Sequence, residues 1–326
     1  MSNSNSKQLL SQLKKVTTVV ADTGDINSIK QYHPQDATTN PSLLLKSAQD
    51  PAYKEIFDKS VLDAKGHGGD LSNQLYWARL HLAANFGCEI LKLIPGKVST
   101  EVDARHSFSA EKTISEARDL IKLYEKKGVD SSRVLLKVAA TWEGVQAAKV
   151  LQKDGLNCNM TLIFHLAQAI ACADVNSYLI SPFVGRITDW YKANSDIDVA
   201  SNDPGVASVV NIYNYFHHFG YKTIVMGASF RNIGQIKNLS GCDYLTISPN
   251  LLEELKNIED DLVVNLSDSN AKSESIEKID INEESFRWLM NEDAMATEKL
   301  SDGIRKFTAD IIKLDSMLMD ALRVTL

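Results

Sequence analysis

No stretch of this 326-residue chain approaches the roughly 18 consecutive apolar residues that a membrane-spanning helix requires. Residues 1–7, rich in serine and asparagine, lack the apolar core of a secretory signal and the repeated arginines of a transit peptide. A basic surplus is missing too. Thirty-five Lys and Arg stand against 42 Asp and Glu, a net charge of −7, which argues against a generic binder of nucleic-acid backbones. Cysteine is sparse: Cys88, Cys158, Cys172 and Cys242 lie far apart with no CxxC pair. That spacing disfavours both a zinc site and a disulfide framework and suits a reducing, cytoplasmic setting. Apolar material is plentiful at 44% of residues, enough for a sizeable core. An acidic chain that handles anionic metabolites must then place its cations locally, inside a site.

Length alone allows one large barrel or two ordinary domains. Short apolar runs alternate with longer amphipathic stretches, the pattern of repeated β/α units. The runs at 16–21, 37–40, 98–102, 134–138, 157–162, 177–183, 223–227 and 244–247 read as strands. Eight is the number that a closed (β/α)8 TIM-type barrel needs. Helical patterns fall at 71–86, 110–127, 143–153, 164–175 and 206–219. The run 90–94 could be a strand, but it continues a helical pattern and stops at Pro95-Gly96, so it reads as a helix end. Leu300, Ile304, Phe307, Ile311, Leu314 and Leu318 mark one face of a long C-terminal helix over 298–326. Residues 265–279 read as a polar, Ser-rich surface excursion. With no internal repeat and no dividing linker, 1–326 is expected to be one domain of the α/β class, with 1–15 as an N-terminal segment.

Polar residues recur at the ends of the apolar runs. Asp22 follows the first, Thr38 and Asn40 fall in the second, and Glu101 lies near the end of the third. Asn159 and Thr161 occupy the fifth, Ser181 the sixth, and Ser229 follows the seventh. Residues two apart in an extended segment share a face, so pairs such as Asn159/Thr161 can project together. Strand C-termini of a barrel converge on one rim, where active sites are built. Helix capping is the plain alternative for any single one of these residues. A pattern repeated along most of the runs favours a shared polar site.

Lys137 is the sharpest case, set in the apolar run 134–138. Alternation places it with Leu135 on the face opposite Val134, Leu136 and Val138, which points it into the barrel if helices cover the outside. Burial disfavours the ammonium and makes a neutral amine available. Such an amine can attack a ketone to form a Schiff base. A strand-end lysine that reaches back to solvent is the alternative. Lys92 is a rival, but it lies in the segment read as a helix end. Arg186 follows the sixth run and Arg231 the seventh, the latter near the start of an expected short helix. Cations on neighbouring rim loops suit a phosphate, and a solvated surface charge is the alternative for each.

Other signals carry less. His217 and His218 have no third ligand spaced to complete a metal site. The glycines at 66, 68 and 69 lack the following Lys-Ser/Thr of a nucleotide loop. Neither supports a nucleotide or nicotinamide cofactor.

Several of these stretches resemble one family in order along almost the whole chain. Asp22-Thr23-Gly24-Asp25 and Asp36-Ala37-Thr38-Thr39-Asn40-Pro41-Ser42 are similar to the first two strand-end motifs of transaldolases. Val98-Ser99-Thr100-Glu101-Val102-Asp103 resembles the third, and Leu136-Lys137 the Schiff-base strand. The likeness continues through Asn157-Cys158-Asn159-Met160-Thr161, Ser181-Pro182-Phe183-Val184-Gly185-Arg186 and Gly227-Ala228-Ser229-Phe230-Arg231. Ala140, His106 and His165 depart from the usual pattern at positions with no assigned chemistry.

The resemblance implies a class I aldolase barrel that moves a dihydroxyacetone unit between sugar phosphates without metal or cofactor. Sedoheptulose 7-phosphate and glyceraldehyde 3-phosphate would give erythrose 4-phosphate and fructose 6-phosphate. By position, Lys137 would form the imine and Asp22 would take the C4 hydroxyl proton. Glu101, helped by Thr161, would work through a water. Asn40, Asn159 and Ser181 would hold the three-carbon unit beside Thr38, and Arg186, Ser229 and Arg231 the phosphate. Phe183 has no hydroxyl to order a water near the imine, which favours transfer over release. A homodimer is also implied. The alternatives are a fructose-6-phosphate-type aldolase that releases free dihydroxyacetone, and a non-catalytic sugar-phosphate sensor. The chain length and Phe183 argue against the first; Lys137, Asp22 and Glu101 together argue against the second.

Overall fold

A computed structural model describes residues 7–324. The described chain enters through α1 (Leu9–Val16) and runs into β1 (Thr18–Asp22) and α2 (Ile26–Tyr32). Next come β2 (Asp36–Thr38), α3 (Pro41–Gln49), α4 (Lys54–Lys65) and α5 (Leu71–Leu91). β3 (Val98–Glu101) leads to α6 (Ala110–Lys126), and β4 (Val134–Ala139) to α7 (Trp142–Lys153). β5 (Cys158–Ile163) precedes α8 (Leu166–Asp174), and β6 (Leu179–Pro182) precedes α9 (Val184–Asn194) and α10 (Pro204–Phe219). β7 (Ile224–Gly227), α11 (Ile233–Asn238), β8 (Tyr244–Ile247) and α12 (Pro249–Asn257) complete the eighth unit. Beyond it lie α13 (Asp268–Ser273), α14 (Glu283–Glu292) and α15 (Ala294–Val324).

All eight strands are parallel and close into a barrel in sequence order, with β1 hydrogen-bonded to both β2 and β8. This is the expected architecture, and β8 has the expected limits. The limits of β3 to β7 differ from the expected ones by one or two residues, and the first two strands change for local reasons. Val16 ends α1 instead of opening β1. Asn40 leaves its strand to cap α3, its side-chain oxygen accepting from Leu43 N at 2.9 Å. The run 90–94 does finish a helix: α5 ends at Leu91, and Lys92 lies exposed beside Glu89. Among the described residues no helix is long and apolar enough to cross a membrane.

The strands are buried on both faces because helices surround the barrel, so the outward residues Val134, Leu136 and Val138 join the main apolar core. Inside, Val20, Leu135, Leu179 and Met226 form a separate apolar floor. The polar strand ends stand above this floor. The stretch 265–279 is better tied down than its composition suggests. It contains α13, which packs on α10, and it buries Leu266 and Ala271. A second apolar cluster joins α3, α4 and α5 to the far end of α15, through Leu45, Val61, Leu82, Phe86, Leu314, Leu318 and Leu322.

Candidate active site

Strand register gathers the site. Asp22 lies beside Thr38, Glu101 beside Lys137, and Lys137 beside Asn159. Lys137 is only 4% exposed, so it does not reach back to solvent. Its Nζ lies 3.1 Å from Glu101 Oε2 and donates to the Thr39 carbonyl at 3.0 Å. Thr38 Oγ1 donates to Asp22 Oδ1 at 2.9 Å and meets Thr246 Oγ1 at 2.7 Å. Lower in the barrel, Ser181 donates to Asn159 Oδ1 at 2.6 Å, and Asn159 Nδ2 donates to Ser99 Oγ at 3.0 Å. The chain of bonds fixes the rotamer of each strand-end residue through its neighbour.

One cavity of about 400 Å³, counting its open mouth, is lined by Asp22, Thr38, Asn40, Lys137, Ser181, Phe183, Arg186 and Ser229. Eight of the twelve expected site residues therefore share one wall. Asn159 supports that wall from below through Ser181. Glu101 stands behind Lys137 and faces an adjoining cavity. Thr161 is fully buried on β5, its Oγ1 without a hydrogen-bond partner. Arg231 does not line the cavity. It is exposed at the rim, where Nε and Nη2 both donate to Asp189 Oδ2 at 3.0 and 2.9 Å.

The first turn of α9 and the loop after β7 are joined by backbone bonds from Val184 N to Ala228 O and from Gly185 N to Ser229 O, both 2.9 Å. A side chain at Gly185 would put its Cβ 2.3 Å from the Ser229 carbonyl, so glycine is required for this approach. Ser229 itself is held at φ 62°, in the left-handed region that residues other than glycine seldom occupy. Arg186, in the first turn of α9, and Ser229, in the loop after β7, thus reach the cavity from segments that cannot separate freely.

The electrostatics set the two carboxyls apart from ordinary surface acids. Burial raises Asp22, opposed by Lys137, the bond from Thr38 and Arg186. Burial also raises Glu101, opposed chiefly by Lys137. Burial lowers Arg186, helped by its neighbour Arg231 and opposed by Asp302. Elsewhere, Asp103, His106 and Glu116 bring ligand atoms within 4.8 Å of one another. Both oxygens of Asp103, however, accept from Arg105, and Arg79 lies 3.4 Å away. Two guanidiniums against the best ligand make this a balanced ionic network rather than a cation cage.

Four contributors were not singled out from the sequence. Thr246, near the end of the eighth run, meets the same strand-end rule that picked out the others. Ala228 and Phe307 also line the cavity, and Asp189 orients Arg231. Phe307 comes from α15, outside the rule that strand ends build the site.

The family model described as Transaldolase/Fructose-6-phosphate aldolase matches residues 19–318. A probable transaldolase of Drosophila melanogaster is 55% identical over 318 residues, 97% of this chain and 96% of that one. The transaldolase of Sus scrofa is 57% identical over 314 residues, 95% of this chain and 93% of its own. That of Marinomonas sp. (strain MWYL1) is 57% identical over 317 residues, 96% of this chain and 99% of its own. With the barrel closed, a lysine buried among polar strand ends and likeness along almost its full length, this chain belongs to the transaldolase/fructose-6-phosphate aldolase family.

Proposed function

We propose that the chain is a transaldolase that moves a dihydroxyacetone unit from sedoheptulose 7-phosphate to glyceraldehyde 3-phosphate through an imine on Lys137. The observation that carries this reading is the buried Lys137 amine, 3.1 Å from Glu101, in a cavity shared with Asp22. The amine must be unprotonated to attack the ketose C2, and Glu101 lies where it can take that proton. Loss of water gives the iminium, with Glu101 and Thr161 handling the proton traffic through a water. Asp22 then removes the C4 hydroxyl proton, the C3–C4 bond breaks, and its electron pair moves into the iminium as an enamine. The enamine attacks the acceptor aldehyde, Asp22 returns the proton, and hydrolysis frees Lys137.

Asn40, Asn159 and Ser181, beside Thr38, hold the three-carbon unit, and Arg186, Ser229 and Arg231 take the phosphate. The burial of Phe183 in the cavity wall supports transfer over release, because an apolar ring orders no water against the imine. The reading treats 1–326 as one domain, supported by α15 packing on α3, α5 and α9. A cytoplasmic location fits four free cysteines, three of them buried. A homodimer follows from the resemblance; fractionation and sedimentation test these last two points.

The decisive test is incubation with fructose 6-phosphate, borohydride reduction and mass mapping. A dihydroxyacetone-derived adduct on Lys137, absent from Lys137→Ala, is the expected result. Added erythrose 4-phosphate should then be converted to sedoheptulose 7-phosphate, with little free dihydroxyacetone in its absence. Binding without any adduct would leave a sensor, and rapid release without acceptor would leave a simple aldolase.

A further inference from the structure

The two arginines of the phosphate end are held in different ways. Arg231 is exposed and committed to the Asp189 carboxylate. Arg186 is half-buried and, among the described residues, forms no ion pair and donates no hydrogen bond; its Nη1 is fully buried and unpartnered. An unpaired buried N–H costs about 1–3 kcal/mol, more on a charged group, so other contacts must keep the guanidinium in place.

Those contacts are two rings and a helix backbone. The Arg186 guanidinium carbon lies 5.0 Å from the centre of the Phe183 ring and 5.4 Å from that of Phe307. Both distances fall within reach of a cation–π interaction, which is stronger where water is excluded. Phe183 immediately precedes α9, whose first turn carries Arg186. Phe307 comes from α15, 121 residues beyond Arg186 in sequence, yet it lines the same cavity and is only 2% exposed. One turn earlier on the same face is Gly303. A Cβ there would stand 3.2 Å from Arg186 Nη1 and 2.7 Å from Leu162 Cδ2. The absent side chain is what lets the guanidinium lie against the helix.

We propose that Gly303 and Phe307 of the C-terminal helix are positioning residues that hold Arg186 for the substrate phosphate and so set the preference for phosphorylated sugars. The inference rests on the assignment of the phosphate to Arg186 made above. A guanidinium held by ring faces and by backbone contact spends none of its donors on a competing carboxylate. An entering phosphate therefore breaks no ion pair at Arg186, whereas at Arg231 it must share the cation with Asp189. The helix that follows the eighth β/α unit becomes part of the specificity apparatus, not only a cover.

The test compares fructose 6-phosphate with unphosphorylated fructose as donor to one fixed acceptor. Four variants are measured beside the wild type: Arg186→Gln, Phe307→Leu, Phe307→Tyr and Gly303→Ala. Phe307→Leu should lower the ratio of the two kcat/KM values about five- to tenfold, chiefly by raising KM for the phosphorylated donor. Gly303→Ala should lower it as well, because the new methyl displaces Nη1. Phe307→Tyr keeps the ring face and should restore the ratio to within about twofold of wild type. If Arg186→Gln collapses the ratio while Phe307→Leu and Gly303→Ala leave it unchanged, the positioning role is refuted. If Arg186→Gln itself leaves the ratio unchanged, the phosphate assignment fails instead, and the two failures are distinct. Should Phe307→Leu not fold, the ratio in Gly303→Ala decides alone.

Discussion

Burial raises the Asp22 carboxyl above the ordinary aspartate value of 3.8, against the pull of Lys137, Thr38 and Arg186. A carboxyl raised on folding holds its proton more tightly in the native state. The penalty for its charge is absent below the ordinary value, sets in as pH rises past it, and persists at neutral pH. Asp22→Asn removes that charge and keeps an oxygen for Thr38. At neutral pH the variant should be more stable by about 0.5–2 kcal/mol, as is common when an active-site compromise is relieved. Its kcat should fall roughly 10²- to 10⁴-fold, the usual worth of a positioned acid–base group. Thermal melts at neutral pH and again near the ordinary value check the sign, since the gain should shrink in acid. No gain at neutral pH would mean that Lys137 repays the burial in full. At this scale the sequence was most readable where a residue broke its own pattern. Lys137 stood alone in an apolar strand, and alternation gave its direction. Arg231 was placed by position, but nothing local showed that Asp189 holds it at the rim, because that pair joins residues 42 apart in the chain.

Along α15 one face serves two purposes. The three-and-four spacing foretold a buried stripe, and Ile304, Phe307, Ile311, Leu314 and Leu318 are all buried. The helix starts at Ala294, four residues before the expected 298, because Asp293 precedes it and accepts from Ala296 N at 3.0 Å. Periodicity could not distinguish the part of the stripe that meets the cavity from the part that seals the second apolar cluster. That division depends on how the helix crosses the barrel, which is a tertiary fact. The short helices α2 and α13 escaped for a related reason: six or seven residues hold too few turns to show a period, whereas α11 is the short helix expected after Arg231. Leu318 is fully buried in the second cluster, about 16 Å along the axis from Phe307. Leu318→Ala should therefore cost about 2–5 kcal/mol of stability through lost burial and the cavity left behind. Activity measured well below the melting transition should stay near wild type. An equal loss of turnover under those conditions would show that both halves of the helix act as one rigid lever on the site.

For the whole molecule, the chemistry and a separate titratable bridge lie at opposite ends of the barrel. His217, near the end of α10, lies 3.0 Å from Asp243, just before β8 begins, and 3.0 Å from Asp268, the first residue of α13. Tyr213 stacks on its ring at 4.0 Å, and Lys272 neutralises part of Asp268 from the solvent side. Asp243 accepts from Val225 N with its other oxygen, so the bridge ties α10 and α13 to the strands of the barrel floor. The hydrogen bond to Asp243 raises the histidine above its ordinary value of 6.5, against burial and with help from Asp268. A raised histidine lends stability that is fully present below the ordinary value and is lost as pH climbs through the folded value. Melting temperatures measured from about pH 6 to about pH 9 should fall for the wild type across that window. His217→Gln, which cannot take up the proton, should melt lower than wild type at the acid end and lack this component of the fall. Because the site is built on the other rim, the pH profile of kcat/KM should be the same for both proteins. If the two melting curves ran parallel through the window, the histidine would not be the group that links pH to the closure of the barrel floor.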